Sequence, residues 1–266
     1  MNSTNEIDKN DWIPFESKVE LFKTLKEGHH LAETLNEWIE MGLDINMPFL
    51  GYKTLFQEAL ESEIITPENA FILALELVHL NINLDWNFNQ NPVSALSLAL
   101  SYKNPVFSNS LNKPYLSHQE KLILEILKRH PKLNIEECSV FEQPLFLAFK
   151  YYPKMICPLL EAGANPMFVD NEKRIIWPFL IYTSVYTYDT YDTYSSSEKK
   201  EIQLGLKAML NHGLSLESLN LEGESLMNWL NEIAPEELKH ILIEYQQENL
   251  QKIVPEVQFV KTKQKI

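Results

Sequence analysis

The chain has 266 residues, 45% of them hydrophobic and 23% charged, a composition that excludes disordered and collagen-like classes. Acidic residues outnumber basic ones by 37 to 23, and the net charge of −14 argues against direct binding to nucleic-acid phosphates. The first residues lack a secretory pattern, and the most apolar window, residues 175–182, is too short to span a bilayer. With only two cysteines as well, we expect a cytoplasmic protein that binds neither membrane nor nucleic acid.

Helices with one apolar face recur along the chain. Residues 31–41 place several apolar side chains on one face and glutamates on the other. The positions expected to face inward are Leu31, Leu35, Trp38, Ile39 and Met41. Residues 119–129 repeat this pattern, and a helix start is marked at Thr66-Pro67 and again at Ala234-Pro235.

The ends of these helices share a sequence pattern. An apolar helix end is followed by a Gly or polar stop and by an alternating segment that contains Asn, Asp or Ser. The recurrences are residues 38–46, 77–85, 126–135, 159–166 and 209–216. The stop is Gly42, Asn81, Gly163 or Gly213 in four of these copies. Gly and Asn suit the position because the residue after a helix end commonly has a positive φ.

A second segment recurs about a dozen residues after each stop. Residues 94–99 and 143–148 resemble the T-P-L-H-x-A start of an ankyrin repeat, and residues 51–59, 174–177 and 223–226 are looser copies. The position of the core leucine is held by Leu21, Leu55, Leu96, Leu145, Trp177 and Leu226. The spacing between these positions lies near or above the ankyrin period of about 33. We assign the excess to insertions at residues 102–118 and 183–199, each between the two helices of a repeat.

On these residues the chain resembles the ankyrin-repeat family over residues 16–251, with an N-terminal extension at 1–15 and a tail at 252–266. The resemblance implies an all-α solenoid of about six helix pairs with two long inter-helix insertions, whose concave face binds proteins. The motif histidine is replaced throughout, by Phe22, Phe56, Ser97, Phe146, Pro178 and Met227. We therefore expect loops less regular than those of the family.

Signatures of catalysis and of metal binding are absent from the sequence. There is no H-E-x-x-H, C-x-x-C, G-x-S-x-G or phosphate-binding glycine loop, and the neighbours of Cys157 mark it as a core residue. We expect no catalytic residue, no metal and no cofactor. The enzyme alternative would use the insertions, with His118 and Glu120 as an acid/base pair.

Three stretches are candidates for binding a partner. The first is a tyrosine-rich insertion, since tyrosine is common at interface hot spots; it contains Tyr186, Tyr188, Asp189, Tyr191, Asp192 and Tyr194. Partial disorder, or packing beneath the stack, is an equal alternative for it. The second is the loop pair Trp86 and Phe88, either displayed or folded back on the neighbouring repeat. The third is a set of loop acids that includes Asp44, Glu136, Asp170, Glu172 and Glu222, which would attract a cationic protein or simply aid solubility.

The leading hypothesis is a non-catalytic protein-binding module that is monomeric on its own. Free-standing, acidic, divergent chains of this kind resemble bacterial ankyrin-repeat immunity proteins, which implies neutralisation of a cognate toxin, and a basic toxin suits the acidic concave face. A bacterial effector that binds a host protein is the close alternative. An enzyme or toxin that acts through the inserted loops is the more distant one.

Overall fold

A computed structural model describes the chain over several ranges. They are residues 13–27, 30–49, 53–61, 65–88, 91–102, 116–134, 142–169, 196–219, 223, 225–232, 236 and 238–248. This part is mostly helical, so the expected all-α class is confirmed. Within it, no helix is both long and apolar enough to cross a membrane. The chain divides into two compact units, residues 1–132 and 133–266.

The first unit is built around helix α4, a long apolar helix. Its helices are α1 (Phe15–Lys26), α2 (Leu31–Glu40), α3 (Leu55–Glu61), α4 (Pro67–His79), α5 (Ala95–Ser101) and α6 (Leu116–Leu127). A short antiparallel hairpin, β1 (Asp85–Phe88) and β2 (Asn91–Ser94), precedes α5. Helix α4 contacts α1, α2, α3 and α6, and it buries Phe71, Leu73 and Leu77 completely. Burial of such side chains is the main driving force for this packing.

The second unit packs helices α8 and α9 closely together. Its elements are α7 (Pro144–Tyr151), a 3₁₀ turn (Pro153–Met155), α8 (Ile156–Glu161), α9 (Ser196–Asn211), α10 (Leu226–Glu232) and α11, the helical residues 238–248. A Cβ added to Gly205 on α9 would lie 2.6 Å from Cδ1 of Ile156, which is fully buried. The absence of a side chain at Gly205 is therefore what permits the two helices to approach.

The predicted helix stops have the expected backbone conformation. Gly42, Asn81, Gly163 and Gly213 all have φ between 69° and 108°. In each case two backbone bonds close the helix end: the stop residue donates to the carbonyl three residues back, and the next residue donates to the carbonyl five residues back. This pair of bonds is the Schellman motif, and the apolar residue after the stop is buried in all four copies.

A fifth stop lies at His130, where the sequence alone left the position of the stop undefined. His130 has φ 51° and donates its N–H to the carbonyl of Leu127. The next residue, Pro131, is buried but has no N–H, so the second bond of the motif cannot form. The five stops define five helix-end loops, which we name the Gly42, Asn81, His130, Gly163 and Gly213 loops.

Three of these loops lead into a following helix whose start is capped by a side chain. Thr54 and Gln57 cap α3 reciprocally, each side chain accepting the other's backbone N–H. The Ser94 hydroxyl accepts the N–H of Ser97 at the start of α5, and the Ser225 hydroxyl accepts the N–H of Asn228 at α10. Each cap stands 12 or 13 residues after the preceding stop, as the recurring segments predicted.

The predicted core is largely confirmed. Five of the six recurring core positions, Leu21, Leu55, Leu96, Leu145 and Leu226, are at most 2% exposed, and Trp177 lies outside the described residues. One inward position was wrong. Met41 is 56% exposed: it is the C-cap of α2, still in helical conformation, and the chain reverses only at Gly42.

The predicted insertions extend too far toward the following helices. Helix α6 already begins at Leu116 and helix α9 at Ser196, so the last residues of both insertions are helical. Serine suits a first helical turn, which explains why polar composition alone misplaced these boundaries. Residues 103–115 and 183–195, together with residues 1–12 of the predicted extension and the tail at 252–266, lie outside the described residues.

Candidate functional site

The described part of the predicted binding surface is small. Asp44 lies in the Gly42 loop, and Trp86 and Phe88 lie on β1, where they pair with Val93 and Asn91 of β2. The remaining predicted positions lie outside the described residues; they are Glu136, Asp170, Glu172, Tyr186, Tyr188, Asp189, Tyr191, Asp192, Tyr194 and Glu222. The site that can be built from contacts is therefore centred on the helix-end loops.

Three of these loops are closed by the same side-chain bond. The residue two positions after the stop has a polar side chain. This side chain accepts the backbone N–H of the residue two positions further along the chain. Asp44 Oδ1 accepts from Asn46 at 3.0 Å, Asn165 Oδ1 from Met167 at 2.9 Å, and Ser215 Oγ from Glu217 at 3.2 Å. These are Asx and Ser turns, which hold a loop in a backbone turn without further support.

Consecutive loops are joined by asparagine side chains. In the first unit, Asn46 Oδ1 accepts the backbone N–H of Asn83 in the Asn81 loop. In the second unit, Asn134 Oδ1 accepts the backbone N–H of Asn165 in the Gly163 loop at 2.9 Å. Both acceptors stand four residues after a stop and both donors stand two residues after the next stop. The same bond therefore links equivalent positions twice, and each bond contributes about 0.5–1.5 kcal/mol.

Arg129 adds a second link within the first unit. Its guanidinium donates to the carbonyl of Val78, 2.9 Å away at the end of α4, and to the side-chain oxygen of Asn81. The last carbonyls of a helix carry partial negative charge, so a cation placed there is stabilised. The hydrogen bonds of Arg129 thus link the end of α6 to the end of α4.

An open groove runs along these loops in the first unit. Two cavities, of about 520 and 400 Å³, both have Asn46 in their lining and so adjoin. We call them together the loop-base groove; its principal lining residues are Ile39, Asp44, Asn46, Asn83, Arg129 and His130. One end of the groove is acidic and partly apolar, while the other end carries Arg129 and the exposed His130.

Titratable groups with shifted pKa values lie elsewhere. Glu61 bonds to Lys53 at 2.9 Å, and this hydrogen bond holds the pKa of Lys53 above its ordinary value. Burial raises the pKa of Glu58 on the same helix, against the opposing effect of Lys53. Burial, with Glu161 and Glu201 nearby, also raises the pKa of the Cys157 thiol, which keeps this half-buried group protonated rather than nucleophilic. The core position expected for Cys157 is therefore only partly reached.

Groups for metal binding do not assemble in the described ranges. Across those residues, no three His, Cys, Asp or Glu side chains come together as a possible metal site. His118 and Glu120 both lie in helix α6, with His118 Nδ1 buried and making no hydrogen bond with any described group. The loops present backbone groups, amide side chains and side chains of both charges.

Sequence reasoning missed three residues of the groove. The recurrence at residues 126–135 contains His130, but it did not identify this residue as the stop of its loop. Arg129 bonds to a carbonyl 51 residues away, and Asn83 bonds to a loop 37 residues away. The signal that could have found Asn83 is its spacing from the stop, since positions two and four residues after a stop are polar in most of the copies.

The comparisons with known proteins give no family for this chain. No family model matches it, and no curated protein matches it either.

Proposed function

We propose that the chain is a divergent ankyrin-like scaffold that binds another protein without catalysing a reaction, and that it acts as an immunity protein toward a cationic toxin. The observation that carries this proposal is the recurrence of one loop design. In the Gly42 and Gly213 loops, a stop with positive φ, a turn closed by a side chain and a capped helix follow one another in the same order, and the other loops share part of this design.

The recurrence supports a repeat scaffold because it extends to contacts between loops. In stacked repeats each copy contacts its neighbours, and the loops of successive copies form a row. The Asn46–Asn83 and Asn134–Asn165 bonds are contacts of that kind at equivalent positions. A row of loops on a helical support is a recognition surface, since loops carry binding residues that a rigid scaffold positions.

Departures from the ankyrin pattern are compatible with such a scaffold. Phe22, Phe56 and Phe146 stand where the family has histidine, and each is at most 5% exposed. The hydrogen bonds that the histidine would make are thus replaced by burial of an aromatic ring, which contributes to packing. Ser97, at the same position of another copy, is also buried and accepts a hydrogen bond from the Ser94 hydroxyl.

Charge supports a cationic partner. The net charge is −14, and helix α2 exposes Glu33, Glu37 and Glu40 on one surface. A field of one sign raises the rate at which an oppositely charged protein associates and makes that rate depend on salt. A basic toxin, such as an enzyme that acts on nucleic acid, fits this field.

Co-expression tests the proposal directly. The product of the adjacent gene is expressed in a bacterial host, alone and together with this chain, and growth is recorded. We expect the chain to restore growth and to co-purify with that product at a nanomolar or tighter dissociation constant. Failure to restore growth, together with no binding at micromolar concentrations, would reject immunity; binding to a eukaryotic host protein would favour the effector alternative instead.

The tyrosine-rich insertion is tested in the same complex. Replacement of Tyr186, Tyr188 and Tyr191 by Ala is expected to weaken binding by more than about 2 kcal/mol if these side chains are anchors. Circular dichroism of the variant checks that the helices are retained. An unchanged affinity would remove the insertion from the interface and leave the helix-end loops as the binding surface.

A further inference from the structure

The larger cavity of the loop-base groove lies beside helix α2, and its lining is mainly apolar. It has a volume of about 520 Å³, and we call it the α2 pocket. Its apolar lining consists of the half-buried Ile39, Ile45 and Leu80, together with the buried Leu43. Asp44 also lines the pocket, and its carboxylate closes its own loop. Half-buried aliphatic side chains around an open cavity can be covered by an apolar side chain of another protein.

Helix α2 places two acidic side chains at the edge of this pocket. Asn36 lines the pocket, and Glu40 stands four residues further along the helix, so both lie on one face. Glu37 lies beside Glu40, three residues before it on the helix surface. Both glutamates are exposed, and neither forms an ion pair with any residue in the described ranges. Glu33, one turn earlier, is bonded to His30 instead.

The two carboxylates are unfavourable for helix α2 itself. Glu37 and Glu40 lie in its last turn, where the partial negative charge of the terminal carbonyls repels an anion. The two residues are also three positions apart, a spacing at which like charges repel each other. Helix α2 contains no lysine or arginine that would offset either effect. A cation bound against this turn would relieve both repulsions, so the charge arrangement favours a basic ligand beside the pocket.

We propose that the α2 pocket binds a helix of the partner protein that carries a stripe of apolar residues with lysine or arginine beside it. The apolar side chains contact Ile39, Ile45 and Leu80, and the basic side chains pair with Glu37 and Glu40. A helix suits the site because its rise per residue equals that of α2, so cations three or four residues apart reach both carboxylates. This inference rests on the proposed function, since it names the element of the cationic partner that the first unit recognises.

Three variants separate the charges from the apolar surface. Glu37→Gln with Glu40→Gln removes both charges at nearly constant size, and it should leave the protein at least as stable as the native chain because those charges are unfavourable for α2. Ile45→Gln makes the lining polar at a half-buried loop position. The control is Glu16→Gln with Glu68→Gln, which removes two exposed acids of the same unit from the first turns of α1 and α4. Thermal unfolding checks that each variant folds.

Peptides selected against the intact protein are the probe. Random peptides of about 15 residues, enough for four helical turns, are displayed and selected on the full chain, and the enriched ones are synthesised for fluorescence anisotropy and circular dichroism. We expect apolar residues spaced by three and four with lysine or arginine beside them, and a gain of helicity on binding. The glutamate double variant and Ile45→Gln should each weaken binding by about tenfold, and the control by less than about twofold. Added salt should weaken binding to the native chain more than to the glutamate double variant.

Unchanged affinity for the glutamate double variant, or for Ile45→Gln, would overturn the inference. An equal loss in the control would do so as well, because it would show that net charge rather than the pocket attracts the peptides. Enriched peptides that lack apolar residues, follow a period of two or share no pattern would also contradict it. If the toxin complex forms with the pocket variants at native affinity, the pocket is not the site, although the immunity function stands. If the peptides bind as expected and no toxin complex forms, the pocket stands and the immunity function fails.

Discussion

The helix-end loops of the two units share one backbone design but differ in what they present. The Gly42 and Asn81 loops of the first unit lie along a groove with Asp44 at one end and Arg129 and His130 at the other. In the second unit, the Gly163 and Gly213 loops have neutral Asn165 and Ser215 at the position of Asp44. They also expose Val169 and Leu219, each six residues after the stop. In the Gly42, Gly163 and Gly213 loops, backbone bonds and one turn-closing side chain set the loop shape, while the charge of that side chain differs between the units.

The same comparison separates two uses of glycine in the second unit. Gly205 is needed for space, since a Cβ there would meet Ile156 at 2.6 Å. Gly163 is needed for conformation: its φ is 106°, yet nothing lies within 4 Å of the place where a Cβ would stand. Substitutions at the two positions should therefore destabilise the protein for different physical reasons. The first prediction below is the one with the larger expected loss of stability.

Gly205→Val should give the largest loss of stability. The added methyl groups would overlap Ile156 in a packed core, so we expect the free energy of unfolding to fall by about 2–3 kcal/mol in urea titrations. Leu204→Val, at a 46% exposed position on the same helix, controls for the helix propensity of valine. Adding Ile156→Val to Gly205→Val should recover part of the lost stability. Simple additivity of the two effects on the free energy of unfolding would contradict direct contact between residues 205 and 156.

Gly163→Ala should cost about 1–2 kcal/mol, although the space around it is open. The cost comes from φ 106°, which an L side chain rarely adopts. Gly163→Asn should lose less, because asparagine tolerates positive φ, as Asn81 does at 69° in the first unit. Equal stability of Gly163→Ala and the native protein in urea titrations would show that the loop is not held in this conformation.

Asn46→Ala and Asn134→Ala should destabilise their units by similar amounts, about 1 kcal/mol each. Each change removes the acceptor of one bond between loops, to Asn83 or to Asn165. Asn→Asp at either position keeps an acceptor and serves as the matched control. A cost at one position and none at the other, in the same titrations, would mean that the two links are not equivalent.

His130→Gly should stabilise the protein slightly, by up to about 1 kcal/mol. The native residue has φ 51°, which costs an L residue about 1–2 kcal/mol, and glycine removes that strain against a smaller cost in chain entropy. Asn81→Gly should change stability less, because asparagine is already tolerated there. Clear destabilisation by His130→Gly in thermal unfolding would mean that the imidazole makes a structural contact.

Local patterns predicted the helices and their stops well, because both depend on neighbouring residues. The apolar period places Leu31 and Leu35 in the core, and Gly163 ends its helix since glycine has no penalty at positive φ. The candidate site was harder to predict from the sequence. Asp44 was predicted to bind a partner, and its carboxylate also closes its own loop. Arg129 bonds far along the chain, and no local pattern marks such a contact.

The central claim is that, within each unit, an asparagine side chain joins one helix-end loop to the next, and amide hydrogen exchange of Asn83 and Asn165 tests it most directly. Both residues have exposed side chains, so protection of their N–H groups must come from the hydrogen bonds to Asn46 and Asn134. We predict slow exchange at both amides in the native protein. Asn46→Ala should release Asn83 alone, and Asn134→Ala should release Asn165 alone. Exchange of both native amides at the rate of an unprotected peptide would contradict the claim.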